Sequence, residues 1–330
     1  MEALSPTARA RRESLFASHA AGGWWLMPPA PDGHCFVEGH DPFSFAAPAV
    51  GLMLAFAVAR RMLGRAGVAV GRAVRGQGAD QVDWSRFGDV SYFTVCHLAL
   101  SALFVGAIGG EALGWMADTG VLWEYEQPRL SAGLYGYYVI ELAFTGESCV
   151  HMLLSLAADS SSRDVPMLIH HAATLLVMLA ALRAGFVRVG AAVLFIHDAT
   201  DLPIDATRLC QSLGWTRSLT LHNTVLPPRG WRIHNAGLYA SVLATLASWA
   251  ALRLYAFPRY VVASALLDTT HYLEVFDFVG LKVIGVAYTL YVLPLLFLVA
   301  LHYYWFGLIV LKAGRQLGLL PSGEKKRKAA

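Results

Sequence analysis

Charge is what this sequence is short of. Only 15% of its 330 residues are Asp, Glu, Lys or Arg, against about 25% in a soluble domain. That deficit points away from a large soluble core. Cysteine is scarce too: Cys35, Cys96, Cys149 and Cys210 stand far apart without paired spacing, which argues against a disulfide framework or a zinc site. No cleavable signal peptide is expected, because the first apolar stretch, near Trp24 and Trp25, is short and ends at Pro28 and Pro29. There is no internal repeat, and no polar stretch long enough for a soluble second domain.

What is present in quantity is apolar surface, at 56% hydrophobic residues and a mean hydropathy of +0.49. A helix needs about 20 apolar residues to cross hydrocarbon. Runs of that kind are expected at about 44–63, 90–110, 133–157, 165–183, 187–208, 234–256 and 281–311. The fold class is therefore all-α, a polytopic membrane protein of about seven transmembrane helices. The segment up to about Asp41 reads as irregular, resting at the interface through its tryptophans. The stretch 260–280 is apolar but carries Asp268, His271, Glu274 and Asp277, and is expected to be re-entrant or interfacial.

Orientation follows the basic residues. With seven spans, one side collects Arg60, Arg61, Arg65, Arg72, Arg75, Arg86, Arg163, Arg208, Arg217, Arg229, Arg232 and the carboxyl-terminal Lys and Arg, the greater part of the 26. The loop after the second span has Glu111, Asp118, Glu124 and Glu126 against Arg129. The expected topology is amino terminus lumenal, carboxyl terminus cytosolic. Lys326 and Lys328, five and three residues from the end, resemble a dilysine retrieval signal for the endoplasmic reticulum. The competing reading is a basic tail on anionic lipid, worth about 1 kcal/mol per residue.

Polar groups inside spans cost about 2.5–3.5 kcal/mol each at the helix centre and are functional suspects by default. They concentrate in the fourth and fifth spans. Measured from His197 at 100° per residue, Arg208 falls at about 20°, Asp201 at about 40°, Asp205 at about 80° and Asp198 at about 100°. Five ionisable groups thus share one face that cannot look at lipid. The nearest expected partner is the His170–His171 pair on the adjoining span. His170 would lie about five residues in, roughly 7 Å deep, so histidines and carboxylates meet in the cytosolic half of the bilayer. A neutral imidazole there can attack a thioester, and an Asp can orient its other nitrogen or take a proton from an amine. A His-His doublet sets its rings about 100° apart, unlike the i, i+4 pair of a metalloprotease helix, so metal catalysis is the weaker reading. Taken singly, His97, His151, His271 or His302 is as readily a satisfied interhelical hydrogen bond as a functional group.

The run Arg163-Asp164, His170-His171-Ala172-Ala173-Thr174, Arg188-Val189-Gly190, His197-Asp198-Ala199-Thr200-Asp201, Asp205 and Arg208 resembles the signature of ceramide synthases of the TLC-domain family. Downstream, Arg253 followed by Phe257-Pro258, and Leu301-His302-Tyr303-Tyr304-Trp305, resemble two further family elements. There are departures. Asp205 and Arg208 stand where the family usually has Glu and Lys, and an Asn common before the Arg-x-Gly is absent. Thr145-Gly146-Glu147-Ser148 occupies the place of a Tyr-rich motif. No inserted homeobox-like domain fits, since about 26 residues separate the first two expected spans.

The resemblance implies a TLC domain over 84–315, preceded by a segment, one span and a basic loop over 1–83 and followed by a basic tail over 316–330. Six helices would surround a lipid cavity. It implies transfer of a fatty acyl group from acyl-CoA to the amine of a sphingoid base in the endoplasmic reticulum membrane, with no cofactor and no metal. His170 would accept the acyl chain with His171 beside it, and either ring could be the nucleophile. His197, Asp198 and Asp201 would position the histidine and the amine, while Arg163, Asp164, Thr174, Arg188, Asp205 and Arg208 support the cavity. Expected partners are the two substrates, membrane lipids and a homo- or heterodimeric mate, with no nucleic acid. The alternatives are a TLC relative that binds or senses lipid without catalysis, and a proton-relay transporter.

Overall fold

The computed structural model describes residues 42–75, 82–123, 131–158, 165–184, 186–213, 231–267 and 282–316. They form helices α1 (Pro42–Arg75), α2 (Trp84–Ala117), α3 (Ala132–Ala158), α4 (Val165–Ala184), α5 (Val187–Ser212), α6 (Trp231–Ser248), α7 (Ala263–Leu267) and α8 (Lys282–Gln316). A 3₁₀ turn, Thr119–Trp123, follows α2, and a π-helical stretch, Trp249–Val262, joins α6 to α7. No strand occurs among the described residues, as an all-α reading requires.

Among the described residues, five segments are long and apolar enough to cross a membrane: Ala47–Val74, Trp84–Ala117, Ala132–Ala158, Ala236–Leu267 and Val292–Arg315. On α4 a shorter apolar stretch, Met167–Leu179, is present. The charges of α5 set it apart from the five. Two boundaries differ from expectation. The first helix does not stop near residue 63 but runs to Arg75, so Arg60, Arg61, Arg65 and Arg72 are helical and only 76–83 separates α1 from α2. Nothing between 64 and 75 breaks a helix, since its three glycines pack against α2. The chain also does not leave the membrane helix at Phe257-Pro258. The helix continues to Leu267, so 260–267 belongs to a candidate span, and 268–280 lies outside the described residues.

Helix starts are capped by side chains. Asp83 Oδ1 accepts from the Arg86 amide at 3.1 Å, and Ser131 Oγ from the Leu134 amide at 3.2 Å. Each satisfies an amide that the first turn leaves without a partner, worth about 0.5–2 kcal/mol.

Contacts group the described residues into two compact units. The first takes those up to Val58, Leu100–Phe195 and Phe257–Phe297; the second takes Ala59–Ala99, Ile196–Ala256 and those from Leu298 on. At the centre of the first unit is α3, where every residue from Glu141 to Cys149 is buried. Phe104 stacks on Phe195 with ring centroids 4.2 Å apart and meets Tyr137 edge-on at 5.3 Å. Trp123 closes the 3₁₀ turn by donating its indole N–H to Ser264 Oγ at 2.8 Å. In the second unit, Val82, Phe87 and Leu213 pack with Val68, Trp84 and Leu209, and Leu238, Val242 and Ala313 with Cys210 and Leu246.

Candidate active site

In the second unit the polar face of α5 meets polar side chains from three other elements. Asp201 Oδ1 accepts from Arg253 Nη2 at 2.6 Å, and the same nitrogen donates to the His197 carbonyl at 3.2 Å. The guanidinium lies over the Trp249 ring, 4.3 Å from its centroid. Trp249 in turn donates its indole N–H to the carbonyl of His302 at 3.1 Å. His302, fully buried on α8, brings its Nε2 to 3.1 Å from His197 Nε2. One turn further along α5, Asp205 is fully buried, with Oδ2 at 2.8 Å from His97 Nδ1 and Oδ1 at 3.4 Å from Arg208. His97 comes from α2 and stacks on Phe93, 5.9 Å between centroids.

The arrangement gives Asp201 and Asp205 each a cation or imidazole partner. Asp201 is a third exposed (32%) while its partner Arg253 is buried to 5%. Asp205 is sealed and Arg208 stands half in solvent at 48%. Asp198 is buried and lies within electrostatic reach of Arg253. A buried charge persists only when paired and hydrogen-bonded, which is why the face expected to avoid lipid recruits Arg253 from the middle of an apolar helix. The π-helical geometry of that segment is a further mark, since such insertions collect at functional sites.

The His170–His171 doublet belongs to the first unit. The two rings lie 5.6 Å apart at 68° and both side chains are half-buried. Thr174 Oγ1 donates to the His170 carbonyl at 2.9 Å, so the Thr of His-His-x-x-Thr ties its hydroxyl to the backbone one turn back. The Arg-x-Gly element has two separate duties there. Arg188 Nη1 donates to the Val121 carbonyl at 3.1 Å, anchoring α5 to the 3₁₀ turn. Gly190 leaves room for Tyr138, whose hydroxyl would sit 2.8 Å from a side-chain carbon at that position; Tyr138 itself donates to the Met178 carbonyl at 3.0 Å. Arg163, Asp164, Lys326 and Lys328 lie outside the described residues.

Three members of the α5 network, His97, Arg253 and His302, were not among the expected site residues. The available signal was electrostatic: a helix face with three carboxylates and one arginine asks for further cations, and Arg253 is a charge inside an apolar run.

The family model described as the TLC domain matches residues 84–311. Ceramide synthase 3 of Mus musculus is 27% identical over 200 residues, which is 60% of this chain and 44% of that protein. Ceramide synthase 5 of Homo sapiens is 30% identical over 148 residues, 41% of this chain and 37% of that protein. ASC1-like protein 3 of Oryza sativa subsp. japonica is 26% identical over 206 residues, 62% of this chain and 63% of that protein. The chain thus spans less than half the length of these two ceramide synthases.

Proposed function

The chain belongs to the TLC-domain family, whose model takes in residues 84–311, and from that premise we propose that it is a ceramide synthase, moving a fatty acyl group from acyl-CoA to the amine of a sphingoid base. The observation that carries the proposal is the braced acid–base face of α5: His197 against His302, Asp201 against Arg253, Asp205 against His97. A protein that only held lipid would gain nothing from keeping so many ionisable groups among apolar helices. The names of the relatives supply the reaction class.

In the reaction a neutral imidazole of the doublet, assigned to His170 with His171 as the alternative, attacks the thioester carbonyl. The C–S bond breaks and the CoA thiolate leaves. The sphingoid amine then attacks the acyl-imidazole, the amide C–N bond forms, and the imidazole is released. The amine gives up its proton to the departed thiolate, and the orienting roles are assigned to His197, Asp198 and Asp201. Splitting one difficult aminolysis into two steps is the advantage of the covalent route. The mechanism draws on no metal. α4 and α5 complete a seven-span chain with a cytosolic carboxyl terminus, resident in the endoplasmic reticulum.

The test is to give purified protein acyl-CoA without sphingoid base. A mass gain of one acyl chain on a peptide containing His170 is expected, and His170→Ala should lose both the adduct and ceramide formation. An adduct on His171 reassigns the nucleophile. Full ceramide synthesis by the double His170→Ala, His171→Ala variant ends the mechanism.

A further inference from the structure

A groove of about 440 Å³ lies between α1 and α2 within the second unit, in the size range of small-ligand sites. Its walls include Arg61, Arg65 and Arg72 from α1 and Trp84, Gly88 and Asp89 from α2. The three arginines sit at i, i+4 and i+11, within about 40° of one another around the helix, and all three are exposed. Their neighbour Arg60 behaves differently. It is buried, with its guanidinium 4.2 Å from the Tyr92 centroid and 5.0 Å from that of Phe93. Packing thus uses Arg60 and leaves a stripe of three cations along the groove.

The groove is held to shape by close backbone approach. A side-chain carbon on Gly88 would meet the Gly64 carbonyl oxygen at 3.2 Å, one on Gly67 would run into Ser91 Cβ, and one on Gly71 would meet the Phe87 ring at 2.6 Å. Small residues at each crossing bring two helices together in this way. Arg72 is steadied over the Trp84 ring at 5.4 Å. Against three guanidinium groups the lining offers one carboxylate, Asp89. Like charges along one helix face repel, and a polyanion in the groove relieves that. Guanidinium forks match phosphate oxygens two at a time, which makes Arg the side chain suited to this ligand class.

We propose that the α1–α2 groove is a binding site for clustered phosphate groups, held by Arg61, Arg65 and Arg72. The chemistry is shared by two sources, the nucleotide end of coenzyme A and the headgroup of an anionic phospholipid. The groove shares no lining residue with the histidine and carboxylate sets, and its existence does not rest on the acyl-transfer reading.

Full-length protein in detergent, titrated with free coenzyme A by calorimetry, reads the first source. Native mass spectrometry from nanodiscs of phosphatidylcholine with or without phosphatidic acid reads the second. The triple Arg→Gln variant at 61, 65 and 72 should weaken coenzyme A binding, or lower phosphatidic acid retention, at least tenfold. Arg315→Gln, which removes an exposed charge outside the groove, should change neither by more than twofold. Should the triple variant fold poorly, Arg65→Gln alone is expected to lose about threefold. Whichever arm responds names the source. If both ligands bind the variants as they bind wild type, or neither binds wild type, the proposal is overturned.

Discussion

Asp201 and Arg253 show how a single pair can hold a site without being its nucleophile. Removing one member of a buried pair strands the other and costs about 3–5 kcal/mol in a sealed site; here Asp201 is a third exposed, so a smaller loss is expected. Arg253→Gln should lower the melting temperature and the turnover together. Adding Asp201→Asn to that variant should restore part of the stability but none of the turnover, with a coupling energy of about 1–2 kcal/mol in the double-mutant cycle. Additive losses would show that the 2.6 Å contact is not energetically shared. Asp205 sets a different test. It is fully buried between His97 and Arg208, so Asp205→Glu, which brings in the family's usual residue, adds a methylene to a filled site and should cost about 1–3 kcal/mol in thermal denaturation. Arg208→Lys, at the half-exposed end, should stay within a few-fold of wild-type activity. The helical wheel made the α5 face legible because its spacing is written in the chain. What the face meets was not, since His97, Arg253 and His302 lie far away in sequence.

At the level of elements, the segment Trp249–Val262 carries the most information. A π ladder pairs each amide with the carbonyl five residues earlier, which for Pro258 is the carbonyl of Arg253. Proline has no amide to give, so the residue that holds Asp201 lies where the backbone ladder is interrupted. Pro258→Ala should let the segment settle towards α-helical winding, turning Arg253 relative to Asp201. The expected outcome is an unchanged or raised melting temperature with turnover lowered several-fold, the trade between stability and activity common at functional segments. A fall in melting temperature with normal turnover would refute this. Apolar run length located the helices, yet it misplaced the end of α1 and the continuation through Pro258. Composition records the preference for lipid. It does not record that glycines at 64, 67 and 71 let a charged helix stay wound against its neighbour.

For the molecule as a whole, orientation and address are open to direct measurement. A tag after Ala330 should be digested by protease added to sealed microsomes, and Lys326→Ala with Lys328→Ala should let part of the protein leave the endoplasmic reticulum. Protection of the tag would reverse the proposed topology. The family and the all-helical build were readable because they depend on ordered motifs and on hydropathy, which act locally along the chain. The packing of α3 was not, since a lipid-facing helix and a helix walled in by protein have nearly the same composition. That helix has one more consequence. From Glu141 to Cys149 every residue is buried, so each position is limited by the volume and polarity of fixed neighbours. On α1, by contrast, Val50, Leu54, Val58 and Met62 are all exposed and accept any apolar side chain. In a saturation scan, tolerance should therefore collapse over those nine residues of α3, and the scan would mark the middle of the first unit without any coordinates at all.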